Sequence, residues 1–181
     1  MPQPPKYARI ERERRFLVGR FPRTDVVRTR HITDRYIDGT RLRLREQIDE
    51  GGPALFKLTQ KVPARAAGAQ QGLITNIYLV EGEFRLLARL PGKMLCKVRY
   101  SVPPFGVDVY EGALAGLRLA EAEFNSAAEA DALVVPGFVL HEVTDDARFT
   151  GGQLVCASRE TVRNWLAEYG MSLSGSCEVS T

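Results

Sequence analysis

Histidine and cysteine are scarce in this 181-residue chain: His31 and His141 are the two histidines, and Cys96, Cys156 and Cys177 the three cysteines. The cysteines lie far apart with no Cys-x-x-Cys pair, which argues against a disulfide framework or a structural zinc site and fits a reducing, cytoplasmic setting. Two isolated histidines add no zinc-ligand pattern. No apolar run approaches the roughly 20 residues of a membrane-spanning helix, and Met1 to Lys6 lacks the apolar core of a signal peptide. An excess of one charge is missing too: 25 Lys and Arg against 22 Asp and Glu leave +3, too little for a bulk nucleic-acid binder. Any anion-binding surface must therefore come from how charges are sorted along the chain. No internal repeat or low-complexity tract divides it, and 44% hydrophobic content suits one domain over 1–181, with tails at 1–6 and 170–181.

What is present is alternation. Ile10-Glu11-Arg12-Glu13-Arg14-Arg15-Phe16-Leu17-Val18, taken as a strand, sends Glu11, Glu13 and Arg15 out of one face. On its own the pattern equally describes a solvated edge strand, where charge guards against aggregation. Pro22 to Arg30 is polar with Val26 and Val27 and predicts a short helix, and His31 to Asp38 alternates again. Arg41-Leu-Arg43-Leu-Arg45-Glu46 places three guanidinium groups opposite Leu42 and Leu44, and Leu55 to Lys61 sets Lys57, Thr59 and Lys61 opposite Phe56 and Leu58. A loop at Arg65 to Gln71 leads into a fifth strand, Gly72 to Val80, and Glu81 to Leu90 predicts a helix. Lys93 to Val102 then opposes Lys97 and Arg99 to Cys96, Val98 and Tyr100. Phe105 to Tyr110 carries Asp108, while Leu117 to Phe124 repeats the paired carboxylates with Glu121 and Glu123. A helix capped at Asn125-Ser126 runs to Val135, His141 to Gly152 is irregular, and Gln153 to Tyr169 has the apolar stripe of a terminal helix.

Roughly eight strands joined by short turns predict a mainly β (α+β) fold, an eight-stranded antiparallel barrel forming a tunnel, with flanking helices and a C-terminal helix. Solvated surfaces mix signs along a strand. Here acidic pairs fall on the first and last strands, and basic pairs or triplets on the Arg41, Lys57 and Lys97 strands. If the apolar faces turn outward beneath the helices, the charged faces line the bore. Enclosed charges need partners or a ligand, because desolvating one alone costs several kcal/mol. A wall of arginine and lysine suits phosphate oxygens, and a wall of carboxylates suits Mg²⁺ or Mn²⁺. Those are the ingredients of phosphoryl transfer, so the chemistry indicated is metal-assisted hydrolysis of a polyphosphate.

These residues, in order from Glu11 to about Leu154, resemble the CYTH superfamily, the triphosphate tunnel metalloenzymes. Glu11-x-Glu13-x-Arg15 resembles the family's opening Glu-x-Glu-x-Lys, with arginine for lysine. Arg41-Leu-Arg43 and Lys57 are similar to its phosphate-binding Arg-x-Arg and lysine, and Lys97-x-Arg99 to its later basic strand. Asp108 and Glu121-x-Glu123 fall where the family places its C-terminal carboxylates, and Glu142-Val-Thr-Asp-Asp-Ala-Arg148-Phe resembles its Glu-Val-Thr-x-Asp-x-Arg-Tyr signature. The resemblance implies hydrolysis of a triphosphate compound, inorganic triphosphate favoured. It implies Glu11, Glu13, Arg15, Glu121 and Glu123 as the catalytic set. Phosphate would meet Arg41, Arg43, Lys57, Lys97, Arg99 and Arg148, and Mg²⁺ or Mn²⁺ would bind Glu11, Glu13, Asp108, Glu121 and Glu123. Besides Arg15, the chain departs from the family at Asn76 and Tyr78, where many members carry Glu-x-Glu, and at Thr150-Gly-Gly-Gln153, where they often show Ser-Asn-Ser-Asn. The missing carboxylates predict a weaker cation site that prefers Mn²⁺. Class IV adenylate cyclase activity on ATP and non-catalytic polyphosphate or nucleotide binding stay open as alternatives. The expected partner is a triphosphate-containing small molecule, with membrane and nucleic acid disfavoured and the choice between monomer and homodimer open.

Overall fold

The computed structural model describes residues 5–64 and 68–173. Its strands are β1 (Arg9–Val18), β2 (Arg28–Ile37), β3 (Leu42–Asp49), β4 (Ala54–Pro63), β5 (Gln70–Leu79), β6 (Gly92–Val102), β7 (Phe105–Tyr110), β8 (Arg118–Glu123) and β9 (Val139–Glu142). The first eight close an antiparallel barrel in the order β1-β5-β4-β3-β2-β6-β7-β8, with β8 returning to β1. The predicted barrel is therefore present, with β9 as an extra strand beside the second half of β1.

The closure is local. β5 holds β1 over Arg9 to Arg12, and β9 takes the same side along Phe16 to Val18. A register shift between Glu11 and Arg12 accompanies the closure. Gly72 makes it feasible: it sits opposite both Glu11 and Pro63 at φ +141, and a Cβ there would run into the backbone around Val62 to Ala64.

Alternation puts Glu11, Glu13, Arg15 and Leu17 of β1 on the inner face, so that face turns apolar towards one end. There Leu17, Leu95, Tyr110 and Leu119 pack with Leu114, Leu117, Val143 and Phe149, and with Leu154, Val162 and Leu166 from helices α3 (Gly151–Leu154) and α4 (Arg159–Ala167). The C-terminal segment thus plugs one end of the bore instead of only lying on its outside. A second cluster, Phe16, Val18, Val102, Phe105, Val107, Ala120 and Ala122, lies on the outer face beneath Phe21, Leu133 and Phe138, as expected of an apolar face turned outward. Over β4, helix α1 (Glu81–Leu87) stacks Phe84 on Phe56 at 4.5 Å, while Ile77 of β5 stays exposed.

Several expected helices are shorter. Pro22 to Arg30 holds only a 3-10 turn, Arg23–Asp25, because Val26 is already extended and β2 begins at Arg28. Ser126 caps helix α2 (Ala127–Asp131) by accepting from the Glu129 amide at 3.2 Å, but the helix stops well before Val135, the residue preceding Pro136. The terminal helix is divided, since Ser158 starts a new one by accepting from the Thr161 amide at 3.1 Å. The irregular stretch contains β9, a 3-10 turn at Ala147–Phe149 and α3. Of the expected tails and loop, residues 1–4, 65–67 and 174–181 lie outside the described residues, whereas Met171 and Leu173 pack on the plug. Among the described residues no helix is long and apolar enough to cross a membrane.

Candidate active site

The bore opens into a cavity of about 840 Å³. Glu11, Glu13, Arg15, Arg41, Arg43, Lys57, Lys97, Arg99, Glu121 and Glu123 all line it, so ten of the residues singled out in the sequence share one enclosure. Two do not. Asp108 is fully buried behind the wall, and Arg148 sits on the 3-10 turn outside it.

The basic wall is β3 and β4. Arg43 pairs across with Thr59 and Arg45 with Lys57, which puts their side chains on adjacent inner positions. Like charges this close need a counter-ion, and β2 supplies Asp34, only 1% exposed. Its Oδ1 and Oδ2 accept from Arg45 Nε and Nη2 at 2.7 and 2.8 Å, and Arg43 Nε lies 3.5 Å from Oδ1. Burial acts upward on the Asp34 carboxyl, but Arg43 and Arg45 hold it well below the usual carboxylate range. Arg43 Nη2 also donates to Thr59 Oγ1 at 3.3 Å, and Thr59 donates to Asn76 at 2.7 Å. Burial, and then the neighbouring Arg45 and Arg43, push the Lys57 ammonium down to about 8. Among the described residues neither Lys57 nor Arg41 makes an ion pair, so both are available to an anion.

The acidic wall is β1 and β8, where Arg15 faces Glu121 and Glu13 faces Glu123. Its carboxylates are interleaved with cations. Lys61 donates to Glu11 at 2.7 Å, Arg15 Nη2 to Glu13, and Arg15 Nε to Glu121 at 3.3 Å. Arg99 Nη2 donates to the other oxygen of Glu121 at 2.5 Å. Behind them Asp108 accepts from Lys97 and, at 2.6 and 2.7 Å, from Arg99. Asp108 is thus the counter-ion of the Lys97-Arg99 strand and does not reach the cavity as a metal ligand. Arg148 donates to Asp146 and, at 2.8 Å, to Glu168, tying the 3-10 turn to the end of α4 instead of meeting phosphate in the bore.

Burial, with Glu121 nearby, pushes the Glu13 carboxyl up to about 7 although Arg15 pulls the other way. Against burial, Arg99, Lys97 and Arg15 hold Glu121 well below the usual range. A carboxyl raised on folding binds its proton more tightly in the native state, so its contribution is present at low pH and is lost as pH rises through about 7. Relative to Glu13→Gln, the wild type is expected to lose up to about 3 kcal/mol of stability between pH 5 and 8, read by urea denaturation at both pH values. A pH-independent difference would contradict this environment for Glu13.

The carboxylates suit a hard divalent cation in being all-oxygen donors, with Glu13 opposite Glu123 and Glu11 beside them on the same face. As they stand, no three carboxylate, histidine or cysteine groups among the described residues converge to hold one. Glu123 is exposed at the rim and makes no ion pair among the described residues. The β5 expectation also needs revision: Ile74 and Asn76 line the cavity, whereas Tyr78 is 66% exposed and does not. Opposite Glu11 stands Gly72, and Asn76 lines the same cavity further along β5, opposite Thr59.

Sequence reasoning passed over Asp34, Arg45 and Lys61 as site residues. Arg45 and Lys61 were visible on the basic faces; Asp34 shares an alternation with Ile32 and Tyr36 that does not say which face is inner.

The inorganic triphosphatase of Nitrosomonas europaea is 32% identical over 152 residues, spanning 77% of this chain and 92% of that protein. Two crystal structures of NE1496, one described as a hypothetical protein and one as an inorganic triphosphatase, match with a TM-score of 0.54 each. Their identities are 28% and 27%, covering 82% and 81% of this chain and 99% and 95% of theirs. No family model matches. A barrel of this topology, a bore with opposed basic and acidic walls, and this level of identity over nearly the whole relative agree: the chain belongs to the family of the Nitrosomonas europaea inorganic triphosphatase.

Proposed function

We propose that this protein hydrolyses a triphosphate compound in the bore, with inorganic triphosphate as the favoured substrate. The observation that carries the reading is the basic wall: Arg41 and Lys57 without ion pairs among the described residues, beside Arg43 and Arg45 already aligned by Asp34. Guanidinium forks and an ammonium supply the charge-assisted donors that a polyanion requires. The relationship to an inorganic triphosphatase supports the same substrate.

Arg41, Arg43 and Lys57 bind and orient the phosphates, and enclosure in the barrel restricts water around them. In this reading Glu11 and Glu123 would hold Mg²⁺ or Mn²⁺, with Glu13 beside them engaged by Arg15. Such an ion would supply positive charge to offset that of the phosphates.

The test is phosphate release from inorganic triphosphate, ATP and thiamine triphosphate, each with Mg²⁺, Mn²⁺ and chelator. Metal-dependent turnover fastest on inorganic triphosphate is expected. Cyclic nucleotide formed from ATP would establish the cyclase alternative instead, and tight binding without turnover a binding protein.

A further inference from the structure

We propose that Arg15 is a built-in cation of the bore, holding the place between Glu13 and Glu121 that a divalent ion would take and confining any added ion to the outer carboxylates Glu11 and Glu123. The register of β1 against β8 puts Arg15 directly across from Glu121, and Glu13 precedes it on the same face. Its guanidinium bridges the two carboxylates, Nη2 to Glu13 and Nε to Glu121. The side chain is 5% exposed and lines the cavity, yet Nη1 is buried with no partner among the described residues. A buried guanidinium donor without an acceptor costs free energy, and a phosphoryl oxygen entering the cavity would satisfy it. That last step rests on the triphosphate reading; the ionic argument does not.

Charge balance points the same way. With Glu13 ionised, Glu13, Glu121 and Asp108 stand against Arg15, Arg99 and Lys97, three negative groups against three positive, and with it protonated the cations are in excess, so in neither state has the inner part of the acidic wall net negative charge to draw in a divalent ion. A lysine at this position would offer a single ammonium on a flexible stem, able to leave one carboxylate for the other. Arginine cannot be deprotonated in a protein, and its planar fork holds both carboxylates at once. At the rim, Glu123 has no cation of its own among the described residues. The chain therefore keeps an ion-accepting carboxylate at the mouth and a fixed guanidinium deeper in.

The experiment counts Mn²⁺ bound per chain by electron paramagnetic resonance and calorimetry, with Mn²⁺ alone and no phosphate present. Wild type is compared with Arg15→Gln and Arg15→Lys. Arg15→Gln is expected to bind one more Mn²⁺ than wild type and to gain melting temperature on Mn²⁺ addition where wild type gains little. Arg15→Lys preserves the charge and the fold but cannot span both carboxylates, and should bind Mn²⁺ at least tenfold more tightly than wild type at pH 8. Should Arg15→Gln not fold, Arg15→Lys decides alone. An unchanged ion count in Arg15→Gln, or Mn²⁺ affinity in Arg15→Lys within twofold of wild type, would overturn the proposal. Because no phosphate is present, either result leaves the hydrolysis assay to stand or fall separately.

Discussion

Replacing Asp108 by Ala is expected to remove about 3–5 kcal/mol of unfolding free energy, the loss seen when a buried charge pair is broken from one side. Asp108 is the sole ion-pair partner of Lys97 among the described residues, and it shares Arg99 with Glu121. Removing it leaves the Lys97 ammonium, 5% exposed, without an ion-pair partner among the described residues: the Tyr110 ring lies 5.4 Å away, Glu121 still favours its charge and Arg99 and Arg45 oppose it. Burial already pushes that ammonium below its ordinary range, so the variant sheds the proton or admits water. Adding Lys97→Met to Asp108→Leu should recover more than half of the loss, since an apolar pair of similar volume carries no desolvation cost and Arg99 keeps Glu121. Urea denaturation of the single and double variants reads both effects. A cost below about 1 kcal/mol for Asp108→Ala would mean that the residue behaves like a solvated surface pair, and the buried counter-ion role would be wrong.

That role also marks where the sequence could be read and where it could not. Every barrel strand was visible because period-two alternation and turn residues are local signals, and the ten residues that meet in the cavity were found by following one face of each strand. Closure adds information that no strand carries alone. Asp108 shares the inner side of β7, yet the neighbouring Lys97 and Arg99 arrive in front of it, and only the register of β6 on β7 shows that. On β5 the strand and its inner face were legible, since Ile74, Asn76 and Tyr78 share the face of Lys61, Thr59 and Lys57, but not that the cavity ends before Tyr78, which lies exposed at the end of the strand. The plug was half legible. The apolar stripe of Val162, Trp165 and Leu166 announces a buried helix, but not that Leu17, Leu95 and Leu119 at the end of the charged faces would be what it buries. Likewise Arg148 lies in a recognisable signature, and its partners Asp146 and Glu168 are set by how α4 folds back.

Lys57→Met is expected to weaken triphosphate binding by about 10- to 100-fold, the range of one charge-assisted hydrogen bond worth about 1.5–3 kcal/mol. The residue is half-buried on β4 beside Arg43 and Arg45, and makes no ion pair among the described residues, so nothing in the protein must be broken for it to meet phosphate. Its pH behaviour gives the sharper test. Burial and the adjacent guanidinium groups push the free ammonium down to about 8, and a bound polyanion raises it again. Binding therefore takes up a proton once the medium is above about pH 8, and affinity falls as pH rises beyond that point. Below it Lys57 is already charged and contributes no slope. Titration of the triphosphate itself is common to all variants and cancels in the ratio of their dissociation constants. From pH 7 to 9.5 the advantage of wild type over Lys57→Met should shrink by roughly tenfold, while Lys57→Arg, charged throughout, keeps its affinity at the alkaline end. Calorimetry with inorganic triphosphate at constant ionic strength measures all three, because screening would otherwise alter every phosphate contact together. If the wild-type to Lys57→Met ratio stayed constant with pH, the lysine would be either fully solvated or remote from the phosphates, and the basic wall would have to be assigned to Arg41 and Arg43 alone.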